Sequence, residues 1–231
     1  MLGLGNNLAR GGVLSAGFQN TYSLAFDGSN DTVNLGSKIT LADDTAWTIS
    51  YWYYHDHASN SHYIMGTHDA SNNKIRHRSG YVRVYWDDGN SNDLNAEARE
   101  EWSHIAIVCD GTDSSNIKFY LKGCLEDTET RSDSELQINA IGSTDGGSWL
   151  GNIDEVAIWD VALDADAVTA IYNSGTPIAL DADSGNYDNS GDLQGWWRFE
   201  EGSGTSVADS STNSNAGTLT NGPAYSTDVP S

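Results

Sequence analysis

Two short segments of the chain alternate rings and cations. In 47–54, WTISYWYY, Trp47, Ile49, Tyr51 and Tyr53 share one face of an extended strand. Thr48, Ser50, Trp52 and Tyr54 share the other. In 81–86, YVRVYW, Val82, Val84 and Trp86 point one way, and Tyr81, Arg83 and Tyr85 point away. Aromatic faces stack on sugar rings, and a guanidinium donates to sugar hydroxyls. Trp52, Tyr54, Arg83 and Tyr85 are therefore the candidate carbohydrate-binding residues. The same side chains suit a protein–protein contact, because Tyr, Trp and Arg are enriched at interface centres.

Hydrolysis of a glycoside needs two carboxyl groups on one face, about 5 Å apart in a retaining enzyme. The acidic pairs here are adjacent: Asp154–Glu155, Glu100–Glu101 and Glu200–Glu201. Neighbours on a strand point to opposite faces, so none of these pairs fits. No Gly-x-Ser-x-Gly segment is present, and a Cys/His nucleophile pair has no local support. No catalytic residue is assigned, and the chain reads as a non-enzyme.

Five of the 6 His fall at 55, 57, 62, 68 and 77. His55 and His57 share a strand face, but the other three have no ligand spacing and no Cys is near. A polar, His-rich loop is the plainer reading, and it would make a contact surface sensitive to pH.

The chain has 231 residues, with 11 Lys+Arg against 33 Asp+Glu and a net charge of −22. A nucleic-acid surface needs clustered positive charge to displace counterions, so nucleic acid is excluded as a partner, and anionic membrane with it. Most of the acids are Asp, which favours turns, and turn carboxylates serve solubility or ligate a hard cation. No apolar run approaches the ~18 residues of a membrane span. The first 20 residues lack a continuous apolar stretch, so no signal peptide is expected. They form instead a Gly/Asn-rich arm with isolated Leu2, Leu4, Leu8, Val13, Leu14 and Phe18. Such an arm is ordered by docking on a neighbour.

The elements that must position these residues are short and turn-bounded, as in an all-β sandwich. Strands are expected at 22–26, 47–54, 81–86, 104–109, 117–121, 153–159 and 195–199. One helix is expected over 164–173, capped by Asp164, with Val168, Ile171 and Tyr172 on one face and Gly175 as its stop. The strand and hairpin around 104–123 set Cys109 opposite Ile117 and Cys124 near Trp102, too far apart for a disulfide. Two free, mostly buried thiols fit a reducing compartment. The loop 181–192 spaces Asp181, Asp183, Asp188 and Asp192 only loosely like a calcium loop. The chain divides into an arm, 1–20, and one domain, 21–231.

The blocks SLAFDGSNDTVNL, WTISYWYY, EWSHIAIVCDGTDSSNIKFYLKG, LGNIDEVAIWDVALDADAVTAIYNSG and GWWRFEEGSGTSVADSSTNSNAGTLTNGP resemble, in order, those of the laminin-G-like/concanavalin A-like lectin–glucanase group. That resemblance implies a jelly roll of two antiparallel sheets with one short helix. The hydrolases of the group carry an E-x-D-x-x-E strand motif that is missing here. The resemblance also implies one structural Ca2+ near Asp154 and the FDG turn of Asp27 and Gly28, with Asp31, Asp209 and Asn213 as further ligands. The group's ADSSGNGN-like loop reads ADSSTNSN, with Thr212 in place of Gly; a left-handed turn there would be altered. The arm resembles the leader of virion proteins from marine tailed phages.

These observations define two expectations. One is a non-catalytic virion surface protein, made in the host cytoplasm, that decorates a capsid or tail through residues 1–20 docked on other virion proteins or on copies of itself. The other is a lectin-like adhesin for host surface glycan. A glycoside hydrolase is the least favoured reading.

Overall fold

The computed structural model describes residues 18–55, 62–68, 72–78, 80–94, 98, 100–111, 116–144 and 147–231. Of the arm's apolar residues, Leu2, Leu4, Leu8, Val13 and Leu14 lie outside the described residues.

Strands in the first half are β1 (Ser23–Asp27), β2 (Thr32–Leu41), β3 (Trp47–His55), β4 (His62–Gly66), β5 (Lys74–Arg78), β6 (Tyr81–Tyr85), β7 (Ser91–Leu94) and β8 (Ser103–Cys109). Then come β9 (Asn116–Leu121), β10 (Cys124–Thr130), β11 (Leu136–Ile141), the short β12 (Ser143–Thr144) and β13 (Gly147–Ser148), and β14 (Leu150–Trp159). After helix α1 (Ala165–Tyr172) the chain adds β15 (Leu193–Trp197), β16 (Ser206–Val207), β17 (Gly217–Thr220) and β18 (Ala224–Ser226).

The first sheet runs β10-β9-β8-β3-β14-β1-β18, with β15 also on β14; the second runs β16-β17-β2-β11-β4-β5-β6-β7. Every pairing between these strands is antiparallel. The two inner faces form the main core. Trp47, Ile49, Tyr51 and Tyr53 of β3 meet Ile75 of β5 and Val82 and Val84 of β6 within it. Each such side chain contributes roughly 1.5–3 kcal/mol by leaving water. The result is the expected two-sheet antiparallel sandwich with one short helix.

A second apolar layer covers the outer face of the first sheet. Val108, Tyr120, Ala157 and Trp159 of that face pack on Val168 and Ile171 of α1 and on Leu180 and Tyr187 beyond it. This explains β8, whose seven residues are all buried: one face meets the other sheet and the other meets the helix layer. The helix starts where Asp164 accepts from the Ala167 amide at 2.8 Å. It stops at Asn173, whose left-handed φ of 45° ends the turn two residues before Gly175.

In the loop 181–192, Tyr187 is fully buried and its hydroxyl donates to the Leu180 carbonyl at 2.8 Å. Asp183 accepts from Ser190, so this loop is built around an apolar plug. Neither Cys forms a disulfide, and Cys109 pairs with Ile117 in the expected register. Cys124 is exposed on the edge strand β10, which corrects the expectation of two buried thiols. No helix among the described residues is long and apolar enough to cross a membrane.

Candidate ligand-binding face

The outer face of the second sheet gathers the cations. Ile75 and His77 turn inward, so Lys74, Arg76 and Arg78 turn outward. Register then sets Lys74 beside Tyr85, Arg76 beside Arg83 and Arg78 beside Tyr81. On the far side Arg83 pairs with Asp93 of β7, and on the near side Tyr63 of β4 pairs with Arg76.

The side chains interleave. Lys74 Nζ is 4.8 Å from the Tyr63 ring centroid and 5.9 Å from that of Tyr85. The Arg76 guanidinium is 5.0 Å from Tyr85 and 5.9 Å from Tyr81. The Arg83 guanidinium is 5.1 Å from Tyr81 and 5.5 Å from Tyr85. Such contacts contribute about 0.5–1 kcal/mol each when exposed and about 2 when desolvated. Arg76 donates to the Tyr81 hydroxyl at 3.2 Å, and Arg83 to the Tyr85 hydroxyl at 3.4 Å. Asp93 takes two hydrogen bonds from Arg83, through Nε and Nη2, and pushes its already high proton affinity up. The face therefore presents rings, hydroxyls and fixed N–H donors together.

The structure divides the four residues marked from sequence. Arg83 and Tyr85 lie on this face. Trp52 and Tyr54 lie on the outer face of the first sheet, on the opposite side of the sandwich. Trp52 is only 3% exposed; Tyr172 of α1 stacks on it at 5.7 Å and His104 lies at 4.9 Å. Tyr54 is half-buried and meets Trp102 edge-on at 6.3 Å. The alternation within each segment places Trp52, Tyr54, Arg83 and Tyr85 outside the inter-sheet core. What fails is the assumption that their outward faces coincide, since β3 and β6 belong to different sheets.

Sequence reasoning missed Tyr63, Lys74, Arg76 and Asp93. A signal was present: Lys74, Arg76, Arg78 and Arg83 are four of the 11 basic residues, within ten positions. The alternation of KIRHR is visible only if His77 is counted as a core residue. It is one: its Nε2 is 3.0 Å from the Tyr51 hydroxyl, in full burial.

The acidic pair Asp154–Glu155 behaves differently from the sequence expectation. Ile153 and Val156 both point into the main core, and a bulge between them puts both carboxylates on the outer face of the first sheet. Glu155 takes the left-handed φ of 46°. The pair is still unsuited to hydrolysis, because both residues are buried. Asp154 accepts from Asn20 at 2.9 Å; Glu155 accepts from Trp196 Nε1 at 2.6 Å and Arg198 Nε at 3.3 Å. Burial pushes Glu155 up to about 8 despite Arg198, and burial beside Glu155 also raises Asp154. Ser50 and His104 bond at 2.7 Å below the same layer, in a space of about 10 Å³ that is too small for a substrate.

The six residues proposed for calcium do not converge. Asp27 pairs with Leu150, whereas Leu24 pairs with Ile153. Asp27 and Asp154 are thus about 13 Å apart along the strands, beyond one cation's reach. Asp31 shares the Asp27–Gly28 turn and accepts from the Asp27 amide at 3.0 Å; burial raises its carboxyl. Asp209 spends its oxygens on the amides of Trp196, Ser211 and Asn215, and Asn213 donates to Leu193. Thr212 does not take a left-handed φ; the left-handed residue of that loop is Ser214, at φ 61°, which stands where the group's loop has its second Gly. Among the described residues no group of three His, Cys, Asp or Glu is placed to hold a metal.

The end of the arm packs against the domain. Phe18 stacks on Trp196 at 6.4 Å, and the Arg198 guanidinium lies 4.4 Å from the Phe18 ring. The amides of Thr21 and Tyr22 donate to Glu200 at 2.8 and 3.0 Å.

Comparison with known proteins agrees with this architecture. A solved Bacteroides ovatus structure, to which carbohydrate binding has been provisionally attributed, superposes with a TM-score of 0.66 at 17% identity. It covers 92% of this chain, and this chain spans 62% of its length. A heptameric SAP-like pentraxin from Limulus polyphemus superposes with a TM-score of 0.53 at 17% identity, over 66% of this chain and 82% of the pentraxin. No curated protein matches. Residues 27–169 match the Laminin_G_3 model, described as the concanavalin A-like lectin/glucanases superfamily. The chain therefore belongs to the concanavalin A-like lectin/glucanase superfamily.

Proposed function

We propose that the chain is a non-catalytic, lectin-like module that binds carbohydrate on the outer face of its second sheet. One observation carries this: Tyr63, Tyr81 and Tyr85 interleave with Lys74, Arg76 and Arg83 on one sheet face. Rings supply apolar stacking area, and the guanidinium and hydroxyl groups supply orientation. The Bacteroides ovatus neighbour supports the reading at the level of fold, and fold alone does not settle function. Asp93, bonded to Arg83, is the acidic residue paired on this platform, and the Glu129 carboxylate accepts from its backbone amide at 3.0 Å. A glycan array tests the reading. Signal on defined glycans that is lost in Tyr85→Ala supports it, and a blank array with folded protein refutes it.

A second reading is display on a virion through residues 1–20, whose end, Phe18–Tyr22, is tied to the domain beside Trp196 and Glu200. A domain held there leaves the second sheet free to meet a host surface. Deleting residues 1–20 should abolish incorporation into particles, and normal incorporation would remove this role. A calcium contribution is proposed only for the Asp27–Asp31 turn. A Tm unchanged between EDTA and millimolar Ca2+ would remove it.

A further inference from the structure

Arg76 has an unusual environment for a cation in this protein. It is 8% exposed, yet no carboxylate pairs with it among the described residues. Its guanidinium lies against Tyr85 and Tyr81, and one nitrogen donates to the Tyr81 hydroxyl. Its Nε is buried and has no hydrogen-bond partner. Arg stays charged at any ordinary pH, so it cannot relieve this burial by losing a proton. A buried donor without an acceptor costs free energy, and more so when it is charged.

The surroundings sharpen the point. With 33 acidic residues against 11 basic, a cation here has three carboxylates for every positive charge from which to draw a partner. Arg83 does have one, Asp93. Arg76 thus differs from Arg83, whose charge Asp93 takes up, although both guanidinium groups lie against Tyr81 and Tyr85. Rings hold the Arg76 cation in place without neutralising it, and its planar fork matches a carboxylate or sulfate.

From this we infer that the platform selects sugars bearing an anionic group, a uronate carboxylate or a sulfate ester. The anion is recognised at Arg76, beside Lys74, while Tyr81 and Tyr85 support the ring. The inference rests on the carbohydrate reading above and adds the ligand's charge to it. The net charge of −22 makes the test clean, since the protein as a whole repels polyanions and retention by them requires a local site.

Affinity electrophoresis of the full chain in gels containing dextran, dextran sulfate, polygalacturonate or polyglutamate tests it. The expected result is retardation by dextran sulfate or polygalacturonate at least fivefold greater than by dextran or polyglutamate. Which charged polymer acts distinguishes sulfate from uronate. Arg76→Gln should lose that retardation, and Lys118→Gln, on the other sheet, should keep it. If Arg76→Gln fails to give the wild-type far-UV spectrum, Lys74→Gln replaces it with the same expected loss. Equal retardation by dextran and its sulfate overturns the anionic selectivity and leaves the carbohydrate reading standing. Equal retardation by polyglutamate overturns it in favour of acidic protein. No retardation by either charged polymer overturns it too, and the glycan array then decides whether carbohydrate binding falls as well.

Discussion

The Arg76 guanidinium and the Tyr85 ring are 5.0 Å apart, and Tyr85 also lies 5.9 Å from Lys74 Nζ and 5.5 Å from the Arg83 guanidinium. One ring thus faces three cations that would otherwise repel each other. Tyr85→Ala should lower the unfolding free energy by about 1–2 kcal/mol without any ligand, and Tyr85→Phe should retain most of it. Urea unfolding of both variants checks this. Equal losses in the two would assign the effect to the hydroxyl instead.

Trp52 is a support for the helix layer rather than a sugar platform. Tyr172 stacks on it and His104 lies alongside. Trp52→Ala should therefore cost about 3–5 kcal/mol of stability, as large aromatic deletions in cores do. Chemical denaturation measures it, and a loss below about 1 kcal/mol would show that the layer does not depend on this ring.

His104 gives a pH dependence with a definite sign. Burial lowers it from 6.5 to about 3, so the folded protein keeps the imidazole neutral while the unfolded chain takes up a proton. The unfolded state then binds more protons, and stability falls as pH drops from about 6.5 towards 3. His104→Gln should flatten that part of the profile. Urea midpoints at pH 7, 5.5 and 4 report it, and an unchanged slope would contradict it.

The anchor at Phe18 is local. Phe18→Ala removes the ring that stacks on Trp196 and lies against the Arg198 guanidinium, which itself contacts Trp196. It should speed hydrogen exchange at the Thr21 and Tyr22 amides, which donate to Glu200, by about tenfold and leave the β3 amides protected. Uniform acceleration through the molecule would show instead that the anchor is part of the global fold.

Much of the scaffold is legible from sequence, for stated reasons. YVRVYW alternates, WTISYWYY alternates over its first four residues and is aromatic after them, and HIAIVC is apolar after its His, so β3, β6 and β8 are marked by local pattern. Asp164 marks the helix start by its capping chemistry. The site was half legible. Alternation says that Tyr85 and Trp52 both leave the inter-sheet core, but not that β3 pairs with β8 and β14 while β6 pairs with β5 and β7. Those are long-range choices. A bulge hid a second relationship: the left-handed φ of Glu155 brings it to the same side as Asp154, against the simple period of two. KIRHR hides its alternation, because its inward residues, Ile75 and His77, include a histidine that meets the hydroxyl of Tyr51 in the core.

The central claim is that glycan binds the outer face of β5 and β6. A glycan array probed with wild type, Tyr85→Ala and Tyr54→Ala tests it most directly, because Tyr54 occupies the opposite side of the sandwich. The account predicts the same glycans for wild type and Tyr54→Ala and loss of signal for Tyr85→Ala. Signal retained in Tyr85→Ala, or lost in Tyr54→Ala alone, would contradict it.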